Sequence, residues 1–380
     1  MLKPDYDLSI VSFVNTVIKF LGATPFYESR KMQELIGDSL SNIKKVIIVI
    51  IDSLGYEKLS KINNVLQFER VEKIFSVFPT TTVTAVTSLV TGLTPQEHGL
   101  MGYIQFLREI GMLLNMIDFS YPGMSTYSFE SIVKKNLKRL PNVFQLLKKE
   151  GKYAGILTSA NIANSGLSFL TQKDASVMTY YTVGDLLSGI SKILRKEFKG
   201  IVFVYYGLLD GLGHKKGPDS ESYEKESEYI LREIKRIVEE FKDKHTRVFI
   251  TADHGMVQTP RDKNSYLGSE LRRFLRMPPT GEMRMMYFYT KYKREKELID
   301  YLQGNYKGRF ELFNSKEMLS DGYFGYGKLH PEVLNRIGDI VLVCKENYSF
   351  TYLYTGGEDK LKGMHGSLTE KELHVPLIVL

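Results

Sequence analysis

Three aspartates and three histidines stand where short apolar runs give way to polar, glycine-rich segments. Asp52 closes the run KVIIVII and is followed by Ser53, Leu54 and Gly55, a glycine that permits a sharp strand-to-helix turn. Taken alone, Asp52 reads as the cap of the helix that follows. Asp210 and His214 come as D-G-L-G-H after GIVFVYYGL, and the two glycines between them would let the backbone turn both side chains toward one ion. Asp253 and His254 are adjacent after RVFITA, and His365 lies in GMHGS just before the last apolar run. A lone histidine at any of these places is more often a satisfied structural residue. Together the six are the inventory for two divalent ions, each with three protein ligands and an open position for water or substrate. Imidazole and carboxylate donors suit Zn²⁺ best, with Mn²⁺ or Fe²⁺ as alternatives. The single cysteine, Cys344, excludes a thiolate cluster and an intrachain disulfide. His98, His245, His330 and His374 lack carboxylates at matching positions and are assigned to structure or surface.

The segment FPTTTVTAVTSLVTGLTPQEHG, residues 78–99, is crowded with hydroxyls. Val83, Val86 and Val90 share a helical face, Gly92 stops the helix and Pro95 prevents its resumption, so Thr82 falls at the helix N-terminus. A hydroxyl there lies near unpaired backbone N–H groups and the positive end of the helix dipole, which favour both its alkoxide and an incoming phosphate. Without the metal inventory it reads as an ordinary N-cap. Beside two cations it becomes a nucleophile with a means of activation.

The elements that must position these groups are apolar runs alternating with helical patterns: 44–51, 153–159, 200–208, 247–252 and 374–380. Continuous apolar runs of this kind predict an α/β fold, a doubly wound, mostly parallel sheet with helices on both faces. Such sheets bind ligands at the carboxyl ends of their strands, where Asp52, Thr158 with Ser159, Asp210, and Asp253 with His254 all fall. We divide the chain into an N-terminal helical extension (1–40), a catalytic core (41–259 and 361–380) and a smaller inserted subdomain near the site (260–360) that carries a hairpin-like segment at 338–354. The apolar run in residues 8–22 is interrupted by Asn15, Thr16 and Lys19 and predicts an amphipathic helix docked on the core rather than a signal peptide.

The set VIIVIIDSLG, FPTTTVTAVTSLVTGLTPQEHG, LLDGLGHKKGP, FITADHGM and GMHGS, in this order, resembles the type I phosphodiesterase/nucleotide pyrophosphatase family of the alkaline phosphatase superfamily. The resemblance runs from about residue 44 to the C-terminus. It implies an alkaline phosphatase-like fold and a site with two zinc ions, one held by Asp210, His214 and His365 and the other by Asp52, Asp253 and His254. It implies Thr82 as the nucleophile, forming a covalent phosphothreonine, with Thr80 and Thr81 as its neighbours. The family commonly has an asparagine after the H-G pair that hydrogen-bonds the phosphoryl group, and Tyr103 stands in its place. A tyrosine hydroxyl can also donate, though from farther along a rigid ring. If Tyr103 packs instead, Lys215, Lys216 and the Thr82 backbone N–H become the candidate phosphoryl donors.

The implied partner is a small-molecule phosphoester such as a nucleotide. Phosphomonoesterases and phosphomutases of the same superfamily are the first rival, although the phosphoglycerate mutases insert a large domain between nucleophile and second metal motif that this chain lacks. Sulfatases require a C/S-x-P-x-R context that is absent. A noncatalytic anion-binding protein would usually have lost a ligand or the hydroxyl, and all seven positions are intact. The formal charge of +7 is spread over helices and interleaved with glutamate, so no stable nucleic-acid partner is expected. No run of about 18 uninterrupted apolar residues predicts a membrane span, and the expected location is cytoplasmic.

Overall fold

The computed structural model describes residues 1–355 and 361–380, with backbone alone for 125–127; the last residues of the 260–360 stretch lie outside the described residues. The central sheet has seven strands in the spatial order Val71–Phe75, His374–Val379, Thr246–Thr251, Lys45–Ile51, Gly200–Tyr206, Tyr153–Ser159 and Ser176–Tyr180. Lys45–Ile51 runs parallel to both neighbours, with Val46 opposite Arg247 on one side and Ile201 on the other. Every residue of Lys45–Ile51 and of Gly200–Tyr206 is buried, as expected for strands covered on both faces. The last strand, His374–Val379, departs from the parallel pattern and pairs antiparallel with Thr246–Thr251 and with Val71–Phe75. The strands at 71–75 and 176–180 were not visible as apolar runs, because they lie at the two edges and are only partly buried.

Thr246–Thr251, Lys45–Ile51 and Gly200–Tyr206 are adjacent and parallel, so their carboxyl ends lie side by side. Asp253 with His254, Asp52, and Asp210 with His214 follow those three ends. The helix expected after residue 82 runs Thr82–Thr91 and ends at Gly92, whose φ of 75° is the left-handed conformation that glycine adopts without strain.

The N-terminal helix Ile10–Phe20 docks on the core as expected, but it is buried on nearly all sides rather than along one stripe. Its buried Asn15 is hydrogen-bonded at both ends of its amide. Asn15 Nδ2 donates to Val11 O at 2.9 Å and to Gly92 O at 2.7 Å, while its Oδ1 accepts from Phe26 N. The helix is thereby tied to the end of Thr82–Thr91.

A second, six-stranded sheet has the order Phe310–Asn314, Ile340–Cys344, Met285–Phe288, Thr280–Glu282, Ile104–Leu107 and Met112–Asn115, antiparallel throughout. The hairpin expected at 338–354 does not form: Ile340–Cys344 pairs with Met285–Phe288 and Phe310–Asn314, whereas Ser349–Tyr352 lies parallel to Asn264–Leu267. The connecting residues wrap the buried Arg284, whose guanidinium donates to the carbonyls of Glu346 and Tyr348. No helix among the described residues is long and apolar enough to cross a membrane.

Candidate active site

Asp210 and His214 lie on the helix Leu208–Lys216, so helical i,i+4 spacing, rather than a glycine turn, brings them to one face. Gly213 serves packing instead: a Cβ there would come within 2.6 Å of Met256 Sδ. His214 Nε2 is 3.3 Å from Asp210 Oδ2 and 3.3 Å from His365 Nε2. On the other side His254 Nε2 is 3.5 Å from Asp52 Oδ1 and 3.4 Å from Asp253 Oδ2. In each trio the donor atoms all lie within 4.8 Å of one another. The two trios adjoin, with the His254 and His365 rings stacked at 3.9 Å.

The donor set fits two cations. Each histidine gives its Nδ1–H to a backbone carbonyl: His214 to Gly363 O at 2.8 Å, His254 to Gly255 O at 3.0 Å and His365 to Thr80 O at 2.9 Å. That fixes the tautomer and leaves every Nε2 lone pair aimed at its trio, the arrangement by which metal-binding histidines are oriented. Two imidazole lone pairs facing each other at 3.3 Å repel unless a cation or proton lies between them. The buried oxygens Asp52 Oδ1, Asp210 Oδ1 and Asp253 Oδ2 have no hydrogen-bond partner, an arrangement costly for a buried carboxylate unless an ion is its partner. Their opposite oxygens are held. Asp253 Oδ1 accepts from the amides of Ser53 and His254, and Asp52 Oδ2 accepts from the Tyr205 hydroxyl.

Asp52, Asp210, His214 and His365 are each displaced from their ordinary ionisation. Burial, reinforced by the Asp253 and Asp210 carboxylates, raises the Asp52 carboxyl well above its ordinary range. Burial, with His254 beside it, pushes the His365 imidazole far down. Burial alone would lower His214, but the Asp210 carboxylate overcomes it and lifts the imidazole to about 9. Burial opposes ionisation of Asp210 in turn, and His214 nonetheless holds that carboxyl well below its usual value.

Thr82 Oγ1 sits at the junction, 3.4 Å from Asp52 Oδ2 and 3.3 Å from His254 Nε2. Thr82 is the first residue of its helix, and the N-cap is Thr81, which makes no side-chain cap bond. Thr81 Oγ1 donates instead to Glu282 Oε1 at 2.5 Å. Thr80 Oγ1 donates to Ser367 O and accepts from Gly366 N, which locks the loop that carries His365. Farther along, Thr87 and Thr91 bond back to the carbonyls four residues earlier. Ser88 meets the buried His98 ring, whose Nδ1 accepts from Leu100 N. The crowded hydroxyls thus divide between the site and the buried polar groups around it.

A cavity of about 600 Å³ opens over Thr82, Asp210, His214 and His365. Tyr103 lines it, and its hydroxyl accepts from Asn115 Nδ2 at 2.6 Å, while its amide donates to Glu282 Oε1 at 2.9 Å. Lys215 and Lys216 are exposed on the last turn of their helix and do not line the cavity. Thr158 and Ser159 do not line it either.

Sequence reasoning missed Tyr205, Asn115 and Glu282. A period-2 reading of GIVFVYYGL places Tyr205 and Tyr206 on opposite faces without saying which meets Asp52. Asn115 stands twelve residues beyond Tyr103, across a strand pair that no sequence signal announces. Glu282 had the only usable signal, a single acid with one arginine among apolar and small residues in PPTGEMRMM.

A doubly wound α/β core with a hydroxyl nucleophile candidate between two carboxylate–imidazole trios defines an alkaline phosphatase-like protein. The profile of the "Type I phosphodiesterase / nucleotide pyrophosphatase" family matches residues 46–368, and the chain belongs to that family of phosphoric ester hydrolases. No curated protein sequence matches it significantly. Among solved structures, murine ectonucleotide pyrophosphatase/phosphodiesterase 5 is similar at 18% identity and a TM-score of 0.66, over 88% of this chain and 87% of that one. The human form matches at 16% identity, with a TM-score of 0.65 over the same shares of the two chains. Phosphonoacetate hydrolase from Sinorhizobium meliloti matches at 18% identity and a TM-score of 0.63, over 88% of this chain and 89% of that one.

Proposed function

We propose that the chain hydrolyses phosphodiester or phosphoanhydride bonds by attack of Thr82 on phosphorus. The observation that carries this reading is the convergence of three Nε2 lone pairs and three unpartnered carboxylate oxygens around a hydroxyl at a helix N-terminus. Two divalent ions, Zn²⁺ by donor chemistry with Mn²⁺ or Fe²⁺ as alternatives, held by Asp52, Asp253 and His254 and by Asp210, His214 and His365, would supply Lewis-acid stabilisation of phosphoryl charge and acidify nearby hydroxyls. The bond from Thr82 Oγ1 to phosphorus forms as the bond to the leaving oxygen breaks. Water then cleaves the phosphothreonine and restores the hydroxyl. The amides of Thr82 and Val83 open the helix, where the first N–H groups have no intrahelical acceptor, and they donate to a nonbridging oxygen. Because Asn115 donates to the Tyr103 oxygen, the Tyr103 proton is available to the phosphoryl group from the cavity wall. Lys215 and Lys216, at the surface, act in this reading on an approaching anion by charge rather than contact.

Nucleotides are the first substrates to test. One solved structure of murine ectonucleotide pyrophosphatase/phosphodiesterase 5 is an inactive variant in complex with AMP, and Tyr121, Tyr352 and Tyr354 line the cavity here, where a base could stack. Zinc-loaded protein should be screened against nitrophenyl nucleotide diesters, dinucleotides, ATP, nitrophenyl phosphate and phosphonoacetate. Release of nitrophenol from a nucleotide diester, with the nucleoside phosphoryl group trapped on Thr82 after an acid quench, is the expected result. Turnover without a Thr82 adduct in rapid-quench mass spectra, undiminished in Thr82→Ala, would refute the mechanism.

A further inference from the structure

Glu282 is a carboxylate that the proposed chemistry does not use. It lies at the end of the strand Thr280–Glu282, on the wall of the cavity that also holds Thr82, Asp210, His214 and His365. Its position is built. Oε1 accepts from both Thr81 Oγ1 and Tyr103 N, so the side chain is fixed beside the residue next to the nucleophile. Gly366, next to His365, leaves room for it: a Cβ at Gly366 would lie 2.7 Å from Glu282 Cβ. Burial raises the Glu282 carboxyl to about 7 against the pull of these two donors, so at about pH 8 the group is an anion held by both. Yet a fixed anion beside a phosphate site works against binding, so its presence calls for a reason.

We propose that Glu282 selects by charge, admitting the monoanion of a phosphodiester and disfavouring the dianion of a phosphomonoester; the inference rests on the phosphodiesterase reading above. Two divalent ions held by the trios would leave one net positive charge over the three aspartates, which one phosphodiester charge would neutralise and a phosphomonoester would exceed. Among the described residues lining the cavity none is lysine or arginine, and the donors they offer beside the histidines are uncharged, Asn115 and Tyr103 among them. Glu282 adds a fixed negative charge to this wall, so the second charge of a monoester meets repulsion without a compensating cation. The same cavity is lined by Tyr121, Met124, Met286 and Tyr354, a wall that suits an organic substituent better than a bare phosphoryl oxygen.

Glu282→Gln is the test, because the amide keeps an acceptor oxygen for Thr81 and Tyr103 N and removes only the charge. The ratio of kcat/KM for nitrophenyl phosphate to that for bis(nitrophenyl) phosphate should rise about tenfold or more, mainly through a gain on the monoester. An unchanged ratio, or an equal loss on both esters, would show that Glu282 only supports the loop and would overturn the proposal. Calorimetry on the unsubstituted, metal-loaded protein gives a readout that does not depend on the variant folding. At about pH 8 methyl phosphate is a dianion, and dimethyl phosphate should bind at least as tightly despite its smaller charge. Tenfold tighter binding of methyl phosphate would sink the proposal. If the protein hydrolyses neither ester, the hydrolase reading fails, and the two binding constants still decide the role of Glu282.

Discussion

Tyr205→Phe removes one hydroxyl and tests whether the Asp52 trio is an ion site. Tyr205 is buried, and its hydroxyl donates to Asp52 Oδ2, the oxygen that also faces Thr82. The other oxygen, Oδ1, has no protein partner and points toward His254. A hydrogen bond to a buried charged group contributes about 1.5–3 kcal/mol. Without it the anionic form of Asp52 is less stable, and burial already disfavours that form. The ligand is then both less anionic and less fixed in direction. Losing such an orienting partner typically lowers metal affinity about 10–100-fold, which at 1.4 kcal/mol per tenfold matches the bond energy just given. The loss should fall on one site alone, because Asp210, His214 and His365 make no bond to Tyr205. Titration of the stripped protein with Zn²⁺ against a chromogenic chelator should therefore show one dissociation constant raised about 10–100-fold and the other within about twofold. Tyr180→Phe is the control, since the Tyr180 hydroxyl donates to the Tyr205 carbonyl and to no carboxylate. Two unchanged constants, or two constants weakened alike, would refute the assignment of Tyr205 as the residue that positions Asp52.

Thr82→Ala should lower kcat by roughly 10⁴-fold or more, with two metals per chain still found by elemental analysis; Thr81→Val, which touches Glu282 rather than the reacting atoms, should be milder. Asp210→Asn or His365→Ala should lose one ion and Asp52→Asn or His254→Ala the other, and the double loss of both ions from any one of them would contradict separate trios. Chelation should lower Tm. At a metal concentration of about 100 times Kd each site adds about 2.7 kcal/mol, and with an unfolding entropy near 0.8 kcal/mol/K for 380 residues two sites correspond to about 7 °C, read by scanning calorimetry with and without chelator. Asn15→Ala leaves Gly92 O and Phe26 N without their partners and should cost about 2–5 kcal/mol of unfolding free energy while metal content is retained, measured by urea denaturation.

The six ligand candidates and Thr82 were legible because each lies within a few residues of a strand end or helix start, where chain geometry is local. Five apolar runs announced five of the seven strands, and β-sheet adjacency did the rest: once Lys45–Ile51 lies between Thr246–Thr251 and Gly200–Tyr206, their carboxyl ends have no other place to be. The reading of Asp210 and His214 expected the two side chains together by the wrong device, since a glycine-rich string in D-G-L-G-H looked like a turn and is a helix held down by packing on Met256. What stayed hidden is which face of a buried strand meets the site, as at Tyr205, and whatever depends on strand pairing within the second sheet. Asn115 and Glu282 sit on strands joined through Ile104–Leu107 and Thr280–Glu282, segments far apart in sequence whose pairing rests on a single register contact, Gly281 with Ile104. Gly102 is the reason that contact is close: it has φ 157°, and a Cβ there would lie 3.1 Å from Gly281 Cα.

That close approach also explains how an unusual residue can replace the expected asparagine without emptying the site. Tyr103 follows Gly102, its amide is held by Glu282, and its ring lies along the cavity, with the hydroxyl reaching Asn115 on the neighbouring strand. An amide group is therefore still present at the cavity wall, supplied by Met112–Asn115 and not by the turn after His98. A sequence motif read position by position reports a missing donor here. The pairing of Tyr103 and Asn115 returns a donor to the same wall, because two strands running antiparallel place residue 104 opposite residue 115. Exchanging the pair tests this compensation directly. Tyr103→Asn alone should loosen Asn115 and widen the cavity, while Asn115→Ala alone should free the Tyr103 hydroxyl, so each single variant changes KM for a diester. In the double variant Tyr103→Asn/Asn115→Ala the expected donor stands in the turn again. Its kcat/KM should exceed the product of the two single effects, a coupling of about 0.5–3 kcal/mol for residues in contact. Strictly additive effects would mean that Tyr103 and Asn115 act separately and that the wall has no shared donor.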